Sequence, residues 1–232
     1  MGKVNRRFHS MKTFRTAIIL SFALAMYFCS ASLLSSCVSK KPVELKKVPL
    51  TVERVSFDPK GDLSKIPLRE NEGAVTVWSF GCRTDFDFDI VEKTFLTKND
   101  YMVTIKIKSC RVELTAPVTV YLPKDADEQL IEHEDGHVEI CRRIYASADR
   151  QALIAASQVI GKTYQASGTS LDDACRKAVE DASLTISQTY HDRASMSVNR
   201  ISEAYDILDR AEPGNAKDLV EKAMNRQIDT RN

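Results

Sequence analysis

From about residue 49 to residue 123 polar and apolar positions alternate in short runs: "TVERVSF", "AVTVWSF", "YMVTIKIKS", "CRVEL" and "VTVYL". They are rich in β-branched and aromatic residues, as strands are. In the third run Tyr101, Val103, Ile105 and Ile107 fall on one face and Thr104, Lys106 and Lys108 on the other, which is a sheet with one wet side. "TDFDFDI" places Asp85, Asp87 and Asp89 opposite Phe86, Phe88 and Ile90. Three carboxylates invite calcium, but without a turning glycine and wrapped ligands a solvated strand face is the better expectation.

After Pro123 the period lengthens. Leu130, His137, Cys141, Ile144, Ala148 and Ala152 recur at three- and four-residue steps through about Ala156, and Asp125 or Asp127 can cap the start. "GKTYQASGTS" breaks the pattern. A second long helix is expected from about Leu171 to Asp209, ended by Pro213-Gly214. Sheet first and helices second make an α+β domain over residues 49–212, with 49–123 its mainly antiparallel β part and 124–212 its helical part. Residues 213–232 read as a short helix or a frayed tail.

The first 43 residues stand apart. Lys3, Arg6, Arg7, Lys12 and Arg15 precede the apolar run "AIILSFALAMYFCSASLL", and no acidic residue occurs before Glu44. This is the layout of a secretory signal over residues 1–36, with a retained membrane helix as the competing reading and Met11 as a possible start. Leu34-Ser35-Ser36-Cys37 resembles the bacterial lipobox, in which the chain is cut before a cysteine that is then acylated. Residues 37–48, "CVSKKPVELKKV", then form a basic, proline-punctuated tether. The expected location is a bacterial membrane, the outer membrane first, with the domain on its periplasmic or surface face.

Removing the five basic residues of the signal leaves 28 basic against 32 acidic residues, a net charge near −4 that gives no support to nucleic-acid binding. An exported chain meets an oxidising compartment, so two disulfides are expected; of the three pairings open to four cysteines, Cys82 with Cys110 and Cys141 with Cys175 lead because each pair lies within one half of the chain, and free buried thiols are the alternative.

The first helical run contains "HEDGH". Residues four apart on a helix differ by about 40° around the axis, so His133 and His137 can point ring nitrogens at one ion. Glu134, about 100° away, reaches that ion's water without ligating it. This is the zinc-peptidase division of labour, with Glu134 as general base. Catalytic zinc takes three protein ligands and keeps a fourth position for water.

Without His9 of the signal, His191 is the remaining histidine and the leading third ligand. On an uninterrupted helix it shares a face with Leu184, Ser187, Ala194, Val198 and Tyr205, all within about 60°. Glu180 and Glu203 are fallback ligands, and Asp192 could brace a ligand histidine. The Gly and His of a metzincin continuation are replaced by Ile140 and Arg143, which excludes that class. Gly136 lowers helix propensity by about 1 kcal/mol and is either tolerated or required by a close approach. Tyr145, Tyr190 and Tyr205 could offer hydroxyls to an oxyanion, with aromatic packing as their default role.

On these residues the chain resembles a family of exported bacterial proteins regarded as zinc-dependent proteases and otherwise known only as a domain of unknown function. The resemblance runs from about Val75 to Tyr205: "TVW" at Thr76 to Trp78, "VYLP" at Val120 to Pro123, and "HEDGHVEI" at His133 to Ile140. "YHDRASMS" at Tyr190 to Ser197 is similar to the family's Tyr-Asp-x-x-Thr-x-His-Gly segment, with His191, Ala194, Met196 and Ser197 at its Asp, Thr, His and Gly positions. The resemblance implies a peptidase-like fold and hydrolysis of a peptide or protein in the cell envelope. The alternative is a non-catalytic envelope lipoprotein on the same scaffold, which the departures at Met196 and Ser197 favour.

Overall fold

A computed structural model describes residues 41–69, 72–97, 100–212 and 214–229, all within one unit, Lys40–Asn232. The signal, its apolar run and Cys37 lie outside the described residues. Among the described residues no helix is long and apolar enough to cross a membrane.

Two mixed sheets open the fold. The first has the order β1 (Val43–Lys47), β5 (Asp100–Thr115), β4 (Gly81–Thr97), with β7 (Thr163–Gly168) also paired to β5. The second has the order β2 (Thr51–Phe57), β6 (Pro117–Pro123), β3 (Val75–Trp78). The pairing is mainly antiparallel, as expected, in β4–β5, β5–β7 and β3–β6, while β1 lies parallel to β5 and β2 parallel to β6. The segment β1–β2 runs as a ribbon beside β5–β6, bridged where Val48 N–H donates to the Leu114 carbonyl and Thr51 N–H to the Ala116 carbonyl.

The expected tether therefore ends sooner than residue 48. Val43 and Leu45 pack against the core while Glu44 and Lys46 point outward to Arg111 and Glu113, so "VELKK" satisfies the two-residue period of a strand. "YMVTIKIKS" and "CRVEL" are one strand. A bulge at Lys108 shifts the register between Asp87 and Phe88, so the buried set changes from Val103, Ile105 and Ile107 to Cys110, Val112 and Leu114. Asp85 and Asp89 lie on the exposed strand face beside Arg111 and Lys108, as expected of a solvated strand.

Helix α1 (Glu128–Ala146) starts where the Leu130 N–H donates to the Asp127 side chain at 2.8 Å. It is followed by α2 (Ala148–Ser157) and α3 (Leu171–Tyr190), which Ser170 caps. β7 occupies the expected break, with Tyr164 and Ala166 packing on the first core. A π-turn, His191–Ser195, joins α3 to α4 (Met196–Ala211), and α5 (Ala216–Asp229) buries Leu219, Val220 and Ala223, so the C-terminal segment is a packed helix.

Two hydrophobic cores result. The first lies among the four-stranded sheet, α2 and α3. The second lies among the three-stranded sheet, α1, α4 and α5. Cys82, Cys110 and Cys141 carry free thiols, so neither expected disulfide is formed. Cys82 pairs in register with Leu114, four residues along β5 from Cys110, a separation of about 13 Å where a disulfide needs Cα atoms under about 7 Å apart. Cys141 and Cys175 belong to different cores.

Candidate metal centre

Side chains from α1 and α4 converge at the rim of the second core. His133 Nε2 lies 3.3 Å from His137 Nε2, and Asp206 Oδ1 lies 3.5 Å from the first and 3.0 Å from the second. A tetrahedral ion with bonds of about 2.05 Å holds its ligand atoms about 3.3 Å apart, so the triangle has the dimensions of three corners of such a site. Asp206 Oδ1 is buried, and despite its closeness to the His137 ring it makes no well-directed hydrogen bond. The three-residue group could hold a metal ion.

The charges respond to each other. The Asp206 carboxylate facing Nε2 raises the His133 pKa above its ordinary value, against the opposing effect of burial, and Asp209 adds to the rise. Burial alone would raise the Asp206 carboxyl, yet the two imidazoles outweigh it and hold that carboxyl well below the usual range. Asp209 Oδ2 stands 2.9 Å from His133 Nδ1, on the opposite edge of the ring.

Glu134 is buried, and the Thr76 hydroxyl of β3 donates to its Oε2 at 2.6 Å. Two residues on, Trp78 stacks on His137 with centroids 6.1 Å apart and donates from Nε1 to Asn199 at 3.0 Å. The neighbouring Asp135 points away, paired with Arg54 of β2. Gly136 is explained by Tyr205: a Cβ at residue 136 would lie 2.3 Å from Tyr205 Oη and 2.5 Å from Cζ. The fully buried Tyr205 ring passes there, 5.1 Å from the His133 ring and 5.2 Å from the His137 ring. Its hydroxyl donates to the His133 carbonyl at 3.3 Å.

The structure thus brings together His133, Glu134 and His137, and the third member of the cluster is Asp206. His191 is exposed on the π-turn, fifteen residues from Asp206, or roughly 22 Å of helix. The buried stripe of α3 is Ala174, Ala178, Ala182, Ile186 and Tyr190, one residue out of phase with the face drawn through His191. Glu203 and Asp192 are exposed, and Glu180 pairs with Arg176. The Tyr145 hydroxyl is bonded to the Val48 carbonyl, and Tyr190 packs in the first core.

A signal for Asp206 existed. Tyr205-Asp206 has the Tyr-Asp pair that opens the resembling segment, a pair that Tyr190-His191 lacks. Aligned there, its Thr position holds Asp209, its His position Ala211 and its Gly position Glu212. Compared with protein families, with curated proteins and with solved structures, the chain matches none.

Proposed function

We propose that this chain is a zinc-dependent metallopeptidase of the bacterial cell envelope, held to a membrane by a lipid on Cys37. The observation that carries the proposal is the triangle of His133 Nε2, His137 Nε2 and Asp206 Oδ1, with sides of 3.0 to 3.5 Å, beside the buried Glu134. Two histidines, a carboxylate and one open position suit catalytic zinc.

When bound, zinc would supply a water of pKa about 7 and polarise a carbonyl. The protein supplies the rest. Thr76 occupies Glu134 Oε2, so Oε1 is the atom left to take the proton of the attacking water and return it to the leaving amine. Trp78 and Tyr205 wall the His137 ring on two sides and so fix its orientation.

The same donor set also suits ferrous iron, and Glu134 beside the centre is what favours hydrolysis. A non-catalytic module on this scaffold is favoured by Ala211 at the His position of the resembling segment. The test is metal content of the purified full chain, followed by cleavage of a quenched fluorescent peptide library with wild type and Glu134→Gln. About one zinc per chain, with turnover abolished and metal retained in Glu134→Gln, is the expected result. Iron in place of zinc, or zinc with no cleavage in wild type, overturns the peptidase.

A further inference from the structure

The two histidines of the centre are held in unlike ways. His137 is clamped by rings, Trp78 on one side and Tyr205 on the other, and its buried Nδ1 has no hydrogen-bond partner among the described residues. His133 is held by a carboxylate, with Asp209 Oδ2 2.9 Å from Nδ1. We propose that Asp209 is the positioning residue of this centre: it accepts the Nδ1–H of His133 and so fixes the tautomer that turns the Nε2 lone pair toward the metal. The inference rests on the metal reading above and deepens it.

The geometry separates the two carboxylates of α4. Asp206 faces the Nε2 edges of the rings, and Asp209, one helical turn later, faces the Nδ1 edge of His133. Asp209 cannot reach an ion held at Nε2, since the ring stands between them. A carboxylate in this position fixes ring orientation and increases the basicity of the ligand nitrogen, and its removal from known metal sites weakens binding about 10- to 100-fold. One rigid helix then delivers both a ligand and the group that aims a second ligand.

The experiment uses the purified full chain and two probes, Zn²⁺ and Co²⁺, with dissociation constants from chelator competition and the visible absorption of bound cobalt. Asp209→Asn preserves the size of the side chain and removes its charge. It should weaken both metals by about 10- to 100-fold and alter the cobalt bands, with a far-ultraviolet dichroism equal to wild type, and Asp209→Glu should recover most of the affinity. Asp209→Asn binding both metals as tightly as wild type, with unchanged cobalt bands, overturns the positioning role and leaves the metal centre standing. No binding by wild type overturns the metal centre itself, and the role of Asp209 with it.

Discussion

Replacing Gly136 with alanine sets two effects of known sign against each other. In an open helix the change stabilises by about 1 kcal/mol, because alanine loses less backbone entropy. Here the new methyl would sit 2.3 Å from Tyr205 Oη, 2.5 Å from Cζ and 2.9 Å from Cε1, against ordinary contacts of 3.4–4 Å. At least 1 Å of movement is needed, and the fully buried Tyr205 ring, boxed in by two histidine rings, has no free direction in which to make it. Overpacking of this kind costs about 1–3 kcal/mol, so Gly136→Ala should destabilise by up to about 2 kcal/mol once the propensity gain is subtracted. Urea denaturation of the full chain measures this. Metal affinity should fall as well, because Asp206 is carried by the residue next to the displaced ring. Tyr205→Ala in the Gly136→Ala background should relieve the clash, giving a favourable coupling in the double-mutant cycle. A more stable Gly136→Ala protein with unchanged metal affinity would refute the close approach.

Other outcomes follow from the same geometry. Asp206→Ala should abolish zinc binding measured by equilibrium dialysis, while His191→Ala binds as wild type; the reverse order would restore the π-turn histidine as a ligand. The metal-free protein should be most stable between about pH 4 and pH 6.5, the ordinary values of the Asp206 and His133 side chains. The raised His133 pKa contributes stability that is fully present below 6.5 and lost as pH climbs through the raised value, and the depressed Asp206 pKa contributes stability that is lost on acidification. Zinc competes with the proton on His133, so stabilisation by zinc should instead grow with pH, and thermal melts with and without the metal should diverge on the alkaline side. Burial pushes the Cys110 and Cys141 thiols up to about 12, so iodoacetamide should label both only after unfolding, as peptide mass mapping would reveal.

The half of the site carried by one helix was legible in the sequence because a four-residue spacing is a local quantity. His133, Glu134 and His137 needed nothing beyond 3.6 residues per turn. Asp206 needed the crossing of α1 and α4, a tertiary fact, and the helical wheel drawn through His191 ran across a π-turn that invalidates it. The strands show the same division. The alternation of "TDFDFDI" held as far as Phe88, with Ile90 exposed, whereas β1 was hidden inside a basic, proline-bearing stretch and β7 inside a run of glycines and hydroxyls, since both draw their order from pairing with the distant β5. The disulfides failed for a similar reason: cysteines in the same half of the chain can still be separated by strand register or by core.

The π-turn between α3 and α4 has a consequence for how this chain can vary. A wide turn in a continuous helix is equivalent to one residue more than a regular α-helix would use. A substitution that rewound His191–Ser195 as regular α-helix, with all five residues kept, would rotate everything beyond it by about 100°. Val198, Ile201, Tyr205 and Leu208 would leave the second core together with Asp206, although none of them had been altered. The aim of the carboxylate is thus set by the width of a turn three to four turns away.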